Sequence, residues 1–298
     1  TSGLPKGVVT THKTLINMML WAWCDERMFF NGGAMHEVVA ANLFVLWYWW
    51  QPLCIGASTV LIQDKELTDL EVHVNKLRSD EVTIVDCMTP SLLGAMIDYA
   101  NDEDDASAKR LPAKIVVSGE PLSEQVCRKF FATQPKESRL VNLFSTTETG
   151  DAAFYSMTAA DLPLWADSMA FAPIGSPIWN IKLHIEDTEE NGAMNRGEGE
   201  LFVDHIGGTM SYVNDREQTA SGFSSRYGWR SRDRVKSIDG LGLVILGRAD
   251  DNVKIRGFKV DLRLVESKCR DLKRVAEVCA MAVEEELVVA YTVTATSG

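Results

Sequence analysis

"AKIVVSGEPLSEQVCRKFFATQPKESRLVNLFSTTETG", residues 113–150, reads as strand, helix, strand. "AKIVVSGEP" (113–121) is an apolar run that ends in Ser-Gly. "SEQVCRKFFATQ" (123–134) has helical spacing behind Ser123, an N-cap residue without a Glu where a full capping box needs one. "RLVNLFS" (139–145) is a second apolar run, and it breaks into the hydroxyl-rich "TTET". Two buried strands flanking a helix predict a parallel sheet with helices on its faces.

The pattern extends in both directions. "HKTLINMMLWAW" (12–23), "LEVHVNKLRSD" (70–80) and "SLLGAMIDYA" (91–100) have helical spacing, whereas "STVLI" (58–62) and "VTIVDCM" (82–88) are β-rich. After Pro173 the runs shorten and alternate: "IKLHIED", "GELFVDHI", "RVKSID" and "LVILGR", separated by Gly and Asp turns. These predict a smaller β-rich unit over about 173–247. From Asp250 a third texture follows, with "NVKIRGFKV", a helical "RLVESKCRDLKR", and strands "CAMAVEE" and "LVVAYTV". The expected division is 1–249 for a large domain and 250–298 for the start of a small α+β one.

Composition narrows the function classes. The 298 residues are 46% hydrophobic, enough for a sizeable core, and the net charge of -12 argues against a nucleic-acid partner. Ala40–Gln63 carries no charge and is long enough to span a bilayer, but Pro52 and the turn-like "IGAS" favour a buried helix, a turn and a strand, so no membrane partner is expected. The six cysteines are widely scattered, which fits buried thiols of a cytoplasmic protein better than zinc or disulfides. The five histidines are too dispersed for a ligand set. Trp47, Trp49 and Trp50 read as packing residues, "HIGG" (205–208) as a structural turn, and "DYANDEDD" (98–105) as a solvated surface loop.

Chemistry gathers at a few places. In "TSGLPKG" (1–7), Gly3 and Gly7 let the backbone approach a ligand, and Thr1, Ser2 and Lys6 offer donors suited to phosphate. It is not a Walker loop, because Gly7 follows Lys6. Thr146, Thr147 and Glu148 fall where a strand ends, the edge at which open α/β sheets bind ligands. In "WRSRDRV" (229–235), Asp233 stands between arginines that favour its ionised form, a partner for a ribose diol.

These segments, in this order, resemble the core motifs of the acyl-adenylate-forming superfamily, most of all adenylation domains of nonribosomal peptide synthetases. "TSGLPKG" is similar to the end of that family's phosphate loop. "SGEPL" resembles its G-E-x-L adenine strand, and "NLFSTTE" its N-x-Y-G-x-T-E. "GELFVDHIGGTMSYVNDREQTASGF" (199–223) resembles a long G-E-L…G-Y-x-N…T…F motif, "WRSRD" a Y-[RK]-T-G-D, and "GRADDNVKIRGFKVDL" (247–262) a G-R-x-D-x-Q-V-K-I-R-G. The resemblance implies an α/β fold: part of an adenylate-forming large domain, a parallel sheet with helices plus a small β-barrel-like unit, then the beginning of a small α+β subdomain.

It also implies roles. Thr1, Ser2, Gly3 and Lys6 would cradle the departing phosphates of ATP. Gly119 and Glu120 would line the adenine, and Phe144, in place of the usual Tyr, would stack on it. Thr147 would touch the α-phosphate, Glu148 would bind Mg²⁺, Asp233 would hold the ribose, and Arg248 would assist. Asp250 would be a hinge, with Lys254 and Gly257 on a loop that swings inward for thioester formation. The catalytic set is then Lys6, Thr147, Glu148 and Lys254, the cofactors are ATP and Mg²⁺, and the acyl acceptor is phosphopantetheine or coenzyme A. The partners implied are a small carboxylic acid and a carrier domain in a larger polypeptide.

Asn42, Leu43, Leu143 and Asp151 would line the acid's pocket. Neither Asn42 nor Leu43 can neutralise an α-ammonium, whereas Asp151 could meet an amine set further from the carboxylate. The departures from the family are Ser145 and Arg232 at positions where it has Gly, and Arg263 and Leu264 where it has Gly and Glu. They leave open a degenerate, non-catalytic nucleotide-binding or scaffolding remnant. The upstream half of the phosphate loop and the family's C-terminal lysine lie outside these residues. The chain by itself is therefore expected to form negligible adenylate and to have poor solubility.

Overall fold

The computed structural model describes residues 6–29, 35–41, 46–102, 110–165, 169, 171–190, 193–207, 211–224, 226–249, 252–255, 258–270, 272, 275–283 and 286–293. Helix α1 (His12–Cys24) leads to β1 (Val38–Ala41), α2 (Leu46–Cys54), β2 (Ser58–Leu61), a short α3 (Asp64–Leu67) and α4 (Leu70–Ser79). Then β3 (Ile84–Met88), α5 (Pro90–Asn101), β4 (Lys114–Val117), α6 (Glu124–Thr133) and β5 (Arg139–Thr146) alternate as the repeating pattern predicts. Strand β6 (Gly150–Met157) turns back against β5, and β7 (Ser176–Pro177) closes the edge. The order in this seven-stranded sheet is β2-β1-β3-β4-β5-β6-β7. β2 through β5 pair in parallel, and β6 and β7 are antiparallel.

Capping side chains set the helix starts. Ser123 accepts from the Val126 N–H at α6, Thr89 from Leu92 at α5, and Asp69 from Val72 at α4. The alternation of side chains along the strands then builds the layers. Val39, Ile84, Val116 and Val141 face one way and pack with Met18, Trp21 and Ala22 of α1. Ala40, Val85, Ile115, Val117 and Leu140 face the other way, onto Val74 and Leu77 of α4, Leu93, Met96 and Ile97 of α5, and Phe130 of α6. Trp21, 1% exposed, sets its ring edge-on to Phe154 with centroids 4.7 Å apart.

The second sheet is antiparallel. β8 (Ile181–Glu190) pairs with β9 (Ala193–His205). Beyond a short α7 (Arg216–Gly222) and β10 (Phe223–Ser224), β11 (Gly228–Ile238) pairs with β9, β10 and β12 (Gly242–Arg248). Its inner residues Leu201, Val203, Val235 and Leu243 join the α1 side of the core. The sheets meet where Leu243 and Gly175 exchange backbone hydrogen bonds of 3.1 and 2.8 Å. Beyond Arg248, β13 (Asn252–Ile255) pairs with β14 (Phe258–Asp261), and helix α8 (Leu262–Arg270) precedes the hairpin of β15 (Val275–Val283) and β16 (Glu286–Val293).

Several expectations need correction. The uncharged stretch does divide into helix, turn and strand, with Pro52 inside α2, and no described helix is long and apolar enough to cross a membrane. The packing role expected of its tryptophans holds for Trp49, which packs half-buried against Ala41, Tyr48 and Cys87, but not for Trp50, which is 38% exposed; Tyr48 is the fully buried ring, because successive helical positions point about 100° apart. Of the six cysteines, only Cys87 and Cys127 are buried; Cys24 and Cys54 sit exposed in the last turns of helices. Asp98–Asn101 belongs to α5 and not to a loop, with the Asp98 carboxylate outward on Lys129 at 2.6 Å; residues 103–105 lie outside the described ones. His205 and Gly207 form a tight turn after β9, with the Gly207 N–H on the His205 Nδ1 at 3.0 Å.

Candidate functional site

A cavity of about 370 Å³ opens at the carboxyl edge of the large sheet. Its walls come from four places far apart in sequence: Gly119–Leu122 after β4, Asn142–Thr146 along β5, Phe171–Ile174, and Asp233, Ile245 and Arg248 of the antiparallel sheet. Asn142 fixes the third wall by donating to the Pro173 carbonyl at 2.9 Å. Of the residues proposed from sequence, Gly119, Glu120, Leu143, Phe144, Asp233 and Arg248 meet here. The Phe144 ring is 8% exposed. Glu120 has a structural tie as well, since its carboxylate accepts from Ser91 N–H at 3.1 Å and Oγ at 3.0 Å at the first turn of α5, where a negative charge is favoured.

Asp233 and Arg248 face each other across paired strands, with Arg248 Nη1 3.3 Å from Asp233 Oδ1 and 3.0 Å from the Ser231 carbonyl. The cation found on Asp233 is thus Arg248 from the neighbouring strand. The sequence neighbour Arg234 pairs with Glu198 at 3.0 Å. Arg232, where the resemblance expects Gly, adopts a φ of 61°, so the left-handed backbone survives the larger side chain. Ser145, the other such position, has no positive φ and sits at a register shift between β5 and β6.

Thr147 and Glu148 occupy the turn between β5 and β6. Thr146 shapes it: its hydroxyl accepts from the Thr149 N–H at 3.2 Å. Thr147 is exposed, and the Glu148 Oε1 accepts from the Tyr212 hydroxyl at 2.7 Å. Burial and the Glu148 carboxylate push the Tyr212 phenol well above its ordinary range. Lys6 reaches the same place, with its ammonium 5.4 Å from the centroid of the Tyr212 ring. The backbone explains why: Val9 N–H donates to the Ser211 carbonyl at 3.0 Å and Val213 N–H to the Gly7 carbonyl at 2.8 Å. Tyr212 therefore joins the first loop to the Glu148 carboxylate, a contact that sequence reasoning missed although the G-Y-x-N motif contained the residue. Phe171 had no sequence signal.

Glu148 suits Mg²⁺, which binds through one or two carboxylates and keeps its other positions for phosphate and water. Among the described residues there is no group of three or more His, Cys, Asp or Glu side chains that could cage a metal by itself. Thr1, Ser2, Gly3, Asn42, Leu43, Asp250 and Gly257 lie outside the described residues, and Lys254 is placed only as part of β13. Asp151 is 3% exposed and lies off the cavity wall, behind Ser145.

The layered sheet, the attached antiparallel unit and the cavity between them define an adenylate-forming fold. Residues 1–213 match the AMP-binding enzyme family, and the chain belongs to it. Among curated relatives, tyrocidine synthase 3 of Brevibacillus parabrevis is 26% identical over 94% of this chain and 4% of its own length. The β-alanyl-bioamine nonribosomal peptide synthetase ebony of Drosophila melanogaster is 27% identical over 91% of this chain and 32% of its own. The structure of NpsA from Klebsiella oxytoca with 3-hydroxyanthranilyl-AMSN superposes with a TM-score of 0.75 at 20% identity, covering 99% of this chain and 59% of that one. The Bacillus subtilis O-succinylbenzoate coenzyme A synthetase with AMP gives 0.75 at 16% identity, over 100% and 58%. The chain thus spans less than two thirds of each of these relatives.

Proposed function

We propose that this chain is the nucleotide-binding part of a carboxylate–AMP ligase. Within the polypeptide that carries it, a carboxylic acid attacks the α-phosphate of ATP, giving acyl-AMP and pyrophosphate, and a carrier's phosphopantetheine or coenzyme A then takes the acyl group. The observation that carries this reading is the convergence of Gly119, Phe144, Asp233 and Arg248 on one cavity. The adenine lies against Phe144, between the β4 and Phe171 walls, and the ribose hydroxyls donate to Asp233, which Arg248 holds in place. The nucleotide phosphates then point toward the β5–β6 turn, where Thr147 and Lys6 supply donors. Glu148 would hold Mg²⁺, which would supply positive charge against the charge that gathers at phosphorus. Tyr212 keeps the Glu148 carboxylate oriented in the ligand-free chain. Asp250 serves as hinge to a small subdomain carrying Lys254.

The left-handed backbone kept at Arg232 favours this reading over a non-catalytic remnant. Calorimetric titration of the chain with AMP tests the site. Asp233→Asn should weaken AMP by about 10- to 100-fold, the worth of charge-assisted hydrogen bonds. Glu148→Gln should leave AMP nearly unchanged yet abolish ATP–pyrophosphate exchange in the carrying polypeptide. Unaltered AMP binding by Asp233→Asn would sink the assignment.

A further inference from the structure

One cation beside the nucleotide cavity has no carboxylate. On β11, Arg230 pairs with Glu200 at 2.6 Å, Arg234 with Glu198 at 3.0 Å, and Lys236 with Glu198 at 3.8 Å. Arg232, on the same strand, is exposed, and among the described residues no acid pairs with it. The chain has a net charge of -12, so an arginine left unpaired is not for want of acids.

The backbone lifts Arg232 out of the strand. Between Arg230, opposite Phe202, and Arg234, opposite Glu200, β11 takes four steps where β9 takes two. Such a bulge re-aims the side chains it carries. Arg232 sits within it at a φ of 61°, and its carbonyl accepts from the Ala249 N–H at 2.7 Å. The residue before it is pinned as well. Arg248 Nη1 donates to the Ser231 carbonyl at 3.0 Å, and the Asp233 N–H donates to the Ser231 Oγ at 3.0 Å. Glycine would hold this conformation without strain, and strain of this kind persists where a site uses the side chain.

The neighbours of Arg232 show which way the bulge faces. Asp233, the next residue, lines the nucleotide cavity. Trp229, three residues before, sets its ring edge-on to Tyr212 with centroids 6.1 Å apart. Tyr212 in turn donates to Glu148 at 2.7 Å and lies under the Lys6 ammonium, 5.4 Å from the ring centroid. The Arg232 charge is felt there: burial and Glu148 raise the Tyr212 phenol, and Arg232 opposes them. Arg232 therefore stands on the stretch of β11 that runs from the ribose carboxylate to the place where Lys6 and Glu148 meet.

We propose that Arg232 is a phosphate-binding residue of this chain, with its guanidinium on the β- and γ-phosphate oxygens of ATP. A guanidinium offers paired donors that match phosphate geometry, whereas Lys6 acts as a point charge. AMP lacks those phosphates, so Arg232 distinguishes ATP from AMP. That the phosphates belong to ATP rests on the ligase reading; that this cation binds a polyphosphate does not.

The test is calorimetric titration of the chain with ATP, AMP and inorganic pyrophosphate, in the parent chain, Arg232→Gly and Arg232→Gln. Each variant should weaken ATP and pyrophosphate by about 10-fold and change AMP by less than about 2-fold. An arginine with a structural role alone would move ATP and AMP together. Both variants remove the charge, so if one loses its thermal transition the other decides. Unchanged ATP and pyrophosphate binding in a folded variant, equal losses for ATP and AMP, or a parent chain that binds neither ATP nor pyrophosphate overturns the proposal. The two readings fail separately. AMP and ATP binding that both survive in the variants refutes the role of Arg232 and leaves the nucleotide site standing. Pyrophosphate binding that depends on Arg232, with neither nucleotide bound, refutes the ligase reading and leaves the polyphosphate site.

Discussion

Arg232 shows how much one residue can hide. Its type suggests a broken motif, but its φ of 61° and the 2.7 Å hydrogen bond from Ala249 N–H to its carbonyl keep the strand bend that delivers Asp233 to Arg248. A side chain in that region carries a strain of about 1 kcal/mol. Arg232→Gly should therefore stabilise the fold by about 1 kcal/mol in urea denaturation, and a loss of stability would mean that the arginine makes compensating contacts. Tyr212 makes the complementary point. The sequence marks it as a motif residue, but the bond to Glu148 exists only because residues 7–9 pair with 211–213.

At the scale of elements, the two sheets depend on a close backbone approach. Gly242 begins β12 with a φ of 76°, and a Cβ there would run into the backbone of Gly175. Gly240, in the turn just before, has a φ of 80° but nothing within 4 Å of that position. The backbone strain of a substitution is thus shared, and the collision is not. Gly240→Ala should cost about 1 kcal/mol and Gly242→Ala about 2–4 kcal/mol, read as midpoint shifts in denaturant. Equal losses would show that the sheet junction can relax. Strands and helices themselves were legible, because apolar alternation and capping residues such as Ser123 and Thr89 are local signals.

For the whole molecule, the buried acids should govern how stability depends on pH. Asp86 binds its proton more tightly in the folded chain, to about 7, than in the unfolded chain, so the folded state holds more protons between about pH 4 and about pH 7. Its contribution is fully present below that window and is lost as pH rises through it. Asp151 adds the same sign up to about 6, while the Tyr48 and Cys87 groups beside them remain protonated. Asp86→Asn removes one such proton, so its stability relative to the parent chain should improve steadily from pH 4 to pH 7 in parallel melts. A constant difference would show Asp86 to be solvated or paired. The sequence by itself determined the layered α/β order, the antiparallel unit and the chemistry of each motif, because periodicity and residue type act over a few neighbours. Only the tertiary structure decided that Arg248 holds Asp233, that Tyr212 joins Lys6 to Glu148, and that Asp86 and Asp151 lie buried without a cation. Those meetings depend on strand order and register, which bring together residues that nothing in the local sequence connects.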